Sequence, residues 1–406
     1  MKRHLIFTLA FLLILIGWLF GPQIDSAFAA WEDAAGRAYW CEIVIQYGQV
    51  DATLSDYPVL LTEVNFPDGM KDSDLATACQ NGGGDIRFSS TEPTAVDGTG
   101  ATQIALEVVS FVTNATPASA TAEIHVPVAS LSSVGATTIY AAWGTSGSST
   151  QPAIDSTFGA ENVWNSAYKM VHHMEDATTS ITLDSTDNDN DGTKGVAAQP
   201  PVTSSGKFGD AQDFDGNNDG INTPGESDFD ASSRIISTSV WIKTTDEGTA
   251  DIVSKGGYTG GYNALAIKSD KILVNTREDP AADAFYRYSS DTINDGDWHN
   301  IVSVINCATK DIDIYIDGAL NQAILIGSDS CADNDAVVTM GWRNQSTGLQ
   351  FDGILDEVKI SNIERTSTWI STEHNNQDAP ATFAIEGAIQ EFAVGSTPQV
   401  IIINFY

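Results

Sequence analysis

Short runs that alternate apolar with polar residues recur along this chain, separated by Gly, Asn, Asp and Ser. No other feature constrains its fold as tightly. Examples are CEIVIQY, TAEIHVPV, TTIYAAW, ISTSVWIKT, NALAIKS, KILVNT, NIVSVIN and DIDIYIDG. A period of two suits half-buried antiparallel strands, whose successive side chains point to opposite faces. In DIDIYIDG, Ile312, Ile314 and Ile316 share one face, and Asp311, Asp313 and Tyr315 share the other. Helical periodicity is scarce. Strands at this spacing predict an all-β chain made of β-sandwiches.

A Gly/Ser/Thr/Pro-rich stretch at 144–160, GTSGSSTQPAIDSTFGA, has no apolar period and reads as a linker seam. The expected organisation is a first β-sandwich domain at 30–150, a linker at 151–165, a second domain at 166–390 and a C-terminal strand and tail at 391–406. In the tail, Val400 to Ile403 is a strand candidate that pairs back onto a sandwich or adds to another sheet edge. Before all of these, Lys2, Arg3 and His4 precede an apolar run at 5–20, and small residues follow at Ala27 and Ala29. That order predicts a signal peptide at 1–29, cleaved before Ala30, and export to the medium or the cell surface. An uncleaved anchor is the alternative, because the apolar run approaches the length of a short span.

Charge narrows the partners. The chain has 406 residues, with 19 Lys and Arg against 54 Asp and Glu, a net charge of −35. Phosphate binding needs a positive surface, which argues against nucleic acid and against an anionic membrane surface. The acidic excess suits an exported protein in salty or calcium-containing surroundings. Four cysteines fall as two local pairs, Cys41 with Cys79 and Cys307 with Cys331. Export favours oxidation, so a disulfide within each pair is preferred, with three connectivities open. No C-x-x-C and no nearby His cluster supports a cysteine-held zinc.

Several segments of the second domain, taken in order, resemble a LamG-like, concanavalin A-like jelly roll. They are GKFGDAQDFDGNNDGINTP (206–224), RIISTSVWIKT, DGDWHNIVSVIN, IDIYIDG and FDGILDEVKISN (351–362). The first domain, with VWNSAYKMVHHMED after it, resembles an uncharacterised bacterial domain that commonly precedes such modules. The tail RTSTWISTEHNNQDAPATFAIEG fits the same two-part family. The resemblance implies an exported or surface-associated protein with an inward Trp at Trp241, and a calcium ion at the sandwich rim in many relatives.

Candidate chemistry follows. In DSTDNDNDGTKG (184–195), Asp187, Asp189 and Asp191 alternate before Gly192, as in the first half of an EF-type loop. Position 12 of such a loop is Ala198, and no helical pattern flanks it, so any Ca²⁺ there needs a remote oxygen donor. Rim candidates for calcium are Asp215, Asp219 and Asp356. Trp342, Arg343 and Asn344, with Tyr258 and Tyr262 in a Gly-rich stretch, are candidates for a sugar-binding surface. Tyr286 and Tyr288 share a strand face but are expected to cover a sheet edge. Trp241, Trp298 and His299 read as structural. His172 and His173 are adjacent on a strand, point to opposite faces and have no third ligand in view. Glycosidases of this fold place acidic residues at E-x-D-x-E spacing, which is missing, and Asp356 and Glu357 are expected to face opposite ways. G-x-S-x-G, P-loop and H-E-x-x-H motifs are missing as well.

The expected function is non-catalytic recognition of an extracellular glycan or surface protein, with structural calcium. The alternatives are an adhesin or spacer of the cell surface, and a polysaccharide hydrolase with an unrecognised site.

Overall fold

The computed structural model describes residues 31–392, except 34, 146, 148, 177–179, 196–201, 225–228, 230–234, 257–261, 278–284, 323–324, 326–335 and 343–348; for 262–264, 277 and 285 it describes the backbone alone. The expected signal peptide and the Val400–Ile403 strand candidate lie outside these residues. Among the described residues no helix is long and apolar enough to cross a membrane.

The first unit holds β1 (Tyr39–Ile45), β2 (Leu54–Thr62), β3 (Arg87–Ser89), β4 (Gln103–Ile104), β5 (Glu107–Val112), β6 (Thr121–Leu131) and β7 (Thr137–Trp143), with a short helix α1 (Asp68–Lys71). One sheet runs β1-β7-β3-β4 and the other β2-β6-β5. The period of two in TAEIHVPV sorts β6. Ala122, Ile124, Val126 and Val128 enter the core, while Glu123 and His125 point away from it. Fully buried Phe88 and Trp143 fill that core, each contributing about 2–3 kcal/mol through burial.

Cys41 and Cys79 both sit in this core as free thiols, so the expected Cys41–Cys79 disulfide is not formed. Each packs as a small apolar side chain. Burial pushes the Cys41 thiol up to about 12 and raises that of Cys79 too. The Cys79 Sγ donates to the Gln80 carbonyl instead (3.4 Å). Cys307 is disulfide-bonded; its expected partner Cys331 lies outside the described residues.

The second unit holds β8 (Tyr168–His172), β9 (Ile181–Thr182), β10 (Gly192–Lys194), β11 (Val202–Ser205), β12 (Asp210–Asp215), β13 (Ile221–Thr223), β14 (Ile235–Lys243), β15 (Thr249–Gly256), β16 (Tyr262–Lys268), β17 (Lys271–Arg277), β18 (Phe285–Thr292), β19 (Trp298–Asn306), β20 (Asp311–Ile316), β21 (Ala319–Leu320), β22 (Val338–Met340) and β23 (Asp352–Ser361). One sheet runs β18-β17-β16-β15-β22-β13-β10-β9. The other runs β11-β12-β23-β14-β19-β20-β21, with β8 also on β23. Ile242, Ile301, Ile312, Ile314, Leu355 and Val358 pack between the two sheets. The expected all-β sandwich architecture is therefore what forms.

Three features differ from the expectation. Residues of the RTSTWISTEHNNQD segment form α2 (Ser367–Asp378), capped by Thr366, whose hydroxyl accepts from the Trp369 amide (3.2 Å). One face of α2 sets Ile370 against Val302, Val304 and Tyr315 on the outside of the second sandwich. The other sets Trp369 against Tyr57 of β2, with ring centroids 5.0 Å apart. The Asn376 side chain completes this wedge by accepting from the Leu60 amide and donating to the Leu60 carbonyl, both at 2.9 Å.

After α3 (Pro380–Phe383), β24 (Ala384–Glu386) and β25 (Gln390–Glu391) return to pair with β1. Most of this return lies inside the 166–390 span assigned to the second domain, yet it completes the first domain's sheet.

Trp241 also departs from the inward reading. It is buried, but on the outer face of its sheet, under α2. Its Nε1 donates to Gln377 Oε1 (2.7 Å), and its ring stacks on His374 at 5.8 Å.

Candidate functional site

The outer face of the β23 sheet meets the first unit, and there the fold gathers side chains that are far apart in sequence. β6 contributes Glu123 and His125, two residues apart and so on one face. Glu107 of β5 lies directly across from His125 in the ladder. His173 follows the end of β8. Its neighbour His172 turns the other way, with Nε2 3.0 Å from the Asn190 carbonyl. The two histidines do not share a site, as their adjacency predicts. The ligand-type groups that the sequence reading did not see come from other elements, and three of them, Glu123, His125 and Glu357, join His173.

Glu357 arrives through a β-bulge. Against β14, Lys359 pairs with Ser239 but Asp356 pairs with Trp241, so β23 carries one extra residue. Glu357 absorbs it at φ +52, a left-handed conformation that costs a non-glycine residue on the order of 1 kcal/mol or more. A bulge re-aims the side chain it carries. Leu355 and Val358 both face the core, and Asp356 and Glu357 both lie on the outer face of the sheet, Asp356 against the Lys207–Phe208 turn and Glu357 against His173. The expectation that this acidic pair faces opposite ways is therefore overturned.

The gathered groups are buried: Glu123, His125 and Glu357 are each 1% exposed, and His173 is 7% exposed. One ligand-type atom from each of these four lies within 4.8 Å of the other three. His125 Nε2 and His173 Nδ1 are each 3.2 Å from Glu123 Oε1. His173 Nδ1 also touches Glu357 Oε1. On its far side, His173 Nε2 is 3.3 Å from Glu107 Oε2, which accepts from Trp164 Nε1 at 2.6 Å. Lys359 Nζ bridges Glu357 Oε2 (2.9 Å) and Glu373 Oε1 (3.0 Å).

The electrostatics are strained. Burial pushes the Glu123 carboxyl well above the usual range, and the nearby Glu357 adds to it. Burial also drives His125 down, keeping it neutral. It opposes charge on His173 as well, but Glu357 and Glu107 hold that imidazole well above its ordinary value. Glu357 stays low because Lys359 and His173 outweigh its burial. Glu123 Oε2 is buried without a hydrogen-bond partner, and so is Oε1 of Glu175, which lies against Glu123.

The residues expected to carry function are distributed differently. Asp187 and Asp189 are exposed and Asp191 is half-buried. They do not converge; among the described residues, the grouping of three or more metal-capable side chains is Glu123, His125, His173 and Glu357. The hub of the DSTDNDNDGTKG loop is Asp184, which accepts from Val171 N, Thr186 N, Thr186 Oγ1 and Asn190 N. Asp191 accepts from Asp184 N (2.9 Å). Gly192 is needed for close approach, since a Cβ there would run into Thr182, Ile221 and His172.

Asp356 does not join the rim candidates. It is fully buried, and its Oδ2 accepts from Lys207 N and Phe208 N. Asp215 and Asp219 do come together with Asp213 and Asp352, around a surface cleft of about 610 Å³. Burial, and then the neighbouring carboxylates, raise Asp213 and Asp219.

Trp342 is half-buried against Gly220, where a Cβ would collide with the indole. It is no open platform. Arg343, Asn344 and Tyr258 lie outside the described residues, and Tyr262 is described only as backbone in β16. Tyr286 and Tyr288 of β18, expected only to cover an edge, are partly exposed and edge-to-face, 5.7 Å apart at 87°. Arg287 between them is buried and reaches Asp311 (3.0 Å), which fixes the strand face that presents the two rings.

Comparison with known proteins supports the architecture of the second unit. Residues 215–389 match the laminin-G-type family described as the concanavalin A-like lectin/glucanases superfamily. No curated protein matches the chain. Among solved structures, similar ones include the binding domain of Paraclostridial mosquitocidal protein 1, at 14% identity over 51% of this chain and 52% of that chain, TM-score 0.43. Another is domain 4 of AbnA, a GH43 extracellular arabinanase from Geobacillus stearothermophilus, in complex with arabinotriose, at 18% identity over 51% of this chain and 98% of that one, TM-score 0.39. A third is the receptor binding domain of a botulinum neurotoxin C/D mosaic serotype, at 12% identity over 53% and 52%, TM-score 0.42. The chain spans about half the length of the two toxin domains. Overlap this loose carries over neither a ligand nor a binding surface.

Proposed function

We propose, from a second unit that matches the concanavalin A-like lectin/glucanase family, that this chain is an exported or cell-surface protein that binds a glycan or a surface protein without catalysis. The observation that carries this reading is the Tyr286/Tyr288 pair. Two partly exposed rings on one face of the edge strand β18, set edge-to-face beside the buried Arg287, offer an apolar surface of the kind on which a sugar ring packs. A hydrolytic reading loses support because Asp356 and Glu357 are sealed at the inter-unit face, where no glycosidic bond can reach them. Calcium belongs to the same proposal. Asp213, Asp215, Asp219 and Asp352 line one open cleft with hard oxygen donors of the kind it takes, though these do not converge to ligating distance of one another in this structure.

A rigid spacer or adhesin stalk is the second reading. It is favoured by the return of β24 and β25 to β1, which ties the two units together at both ends of the second. A glycan array with and without EDTA separates the two readings. Binding of one glycan class, weakened at least tenfold in Tyr286→Ala and Tyr288→Ala, supports recognition. No binding to any glycan or surface protein, by a chain that stays folded, favours the spacer.

A further inference from the structure

The inter-unit cluster has the composition and shape of a closed metal site, and it does not depend on what the outer face binds. Two neutral-capable imidazoles and two carboxylates come from three separate segments: β6 of the first unit, the end of β8, and the bulge of β23. Of the six pairs that the four ligand atoms define, three are at or below 3.2 Å and the rest lie within 4.8 Å. A tetrahedral ion with bonds of about 2.0–2.1 Å sets its ligands roughly 3.3 Å apart. The surrounding groups are those that orient metal ligands. Glu107, fixed by Trp164, faces the far nitrogen of His173, and Lys359 holds the far oxygen of Glu357.

Charge and hydrogen bonding point the same way. Glu107, Glu123, Glu357 and Glu373 are all buried, with Glu175 against them, and the side chains beside them that can carry positive charge are Lys359 and His173; with His173 neutral, as a metal ligand must be, Lys359 alone remains. Buried carboxylates in excess of cations must either take up a proton or meet a further positive charge. The Glu123 Oε2 atom, 1% exposed in its residue, has no N–H or hydroxyl donor, and the Glu175 carboxyl lies against Glu123. The strained bulge at Glu357 brings a carboxylate to this point rather than away from it. A proton shared among the carboxylates or a bound cation would resolve the conflict. Two imidazole nitrogens beside two carboxylates select the cation, and they select a zinc-type ion over calcium or magnesium, which prefer all-oxygen shells.

We propose that Glu123, His125, His173 and Glu357 bind one Zn²⁺-type divalent cation that staples the first unit to the second. With four protein ligands and no open face, the site is structural rather than catalytic.

The test is metal analysis of the full chain purified without chelator and then supplied with Zn²⁺. About one equivalent per chain should survive dialysis, and removing it with a strong chelator should lower the melting temperature, restored by Zn²⁺ but not by Ca²⁺. Glu123→Gln keeps the shape of the side chain and should abolish stoichiometric zinc in a chain that still folds. Glu107→Gln, a positioning change, should weaken zinc by about 10- to 100-fold. A wild-type chain that takes up no zinc, or a Glu123→Gln chain that binds it as tightly as wild type, would overturn the proposal. So would a melting temperature in Glu123→Gln that rises and no longer depends on metal in either chain, since that is the behaviour of a shared proton.

Discussion

Two acidic regions of this chain invite comparison. One is the DSTDNDNDGTKG loop with the rim beyond it, where carboxylates crowd together in sequence. The other is the inter-unit cluster, whose members are up to 234 positions apart (Glu123 to Glu357). The first is mostly solvated. Asp187 and Asp189 point outward, and the loop is organised by Asp184, which spends its oxygens on backbone amides and a hydroxyl. The second is buried, and its carboxylates and imidazoles face one another, with Glu123 Oε2 left without a hydrogen bond. Density of acidic residues along a chain therefore says little about a cation site; convergence in a buried volume says much more.

This contrast can be broken or sharpened by substitution. The largest effect is expected at Lys359. Replacing it with Ala leaves Glu373 buried without its cation and Glu357 with His173 alone, and should cost about 3–5 kcal/mol in urea unfolding. A loss below about 1 kcal/mol would mean that water reaches the cluster and that it is not dry. Next is Trp241→Ala, which removes a buried indole, its hydrogen bond to Gln377 and its stack on His374. It should cost about 3–4 kcal/mol and should loosen α2, detectable as faster amide exchange along 367–378.

Asp184 gives the intermediate case. Asp184→Ala strands four donors and should cost roughly 2 kcal/mol. Its carboxyl is raised to about 6 by burial, against the hydrogen bonds it accepts. A raised carboxyl favours the protonated fold. Its contribution is complete below the unfolded value of about 3.9 and is lost as pH rises through about 6. Wild-type stability should therefore fall across that window, and Asp184→Asn should flatten the fall. An unchanged pH profile in the variant would show that Asp184 is not the titrating group. The smallest effects belong to Asp187→Ala and Asp189→Ala, each within about 0.5 kcal/mol, with melting in calcium unchanged. A calcium-dependent drop in either would return the loop to the list of cation sites.

Much of the fold was legible in the residues. The period of two placed Ile312 and Ile314 inside and Asp311 outside, because a strand that is half buried must alternate. Tyr315 also faces out of the sandwich, yet α2 covers it, and nothing in IDIYIDG announces a helix packed on that face. The cluster was illegible for a related reason. Opposite-facing neighbours made His172 and His173 poor partners, correctly, and the same rule applied to Asp356 and Glu357 failed at one inserted residue. A bulge leaves no compositional mark, so the register that aims Glu357 inward exists only once β23 lies between β8, β12 and β14. The Cys41 and Cys79 pairing failed because export was weighed and the apolar surroundings of both thiols were not.

Anomalous diffraction at the zinc edge, from crystals of the zinc-supplemented full chain, tests the central claim most directly. The account predicts a single strong peak about 2.0–2.2 Å from ligand atoms of Glu123, His125, His173 and Glu357, and none at Asp187, Asp189 or Asp191. Four ordered side chains hydrogen-bonded to one another with no peak between them would contradict it.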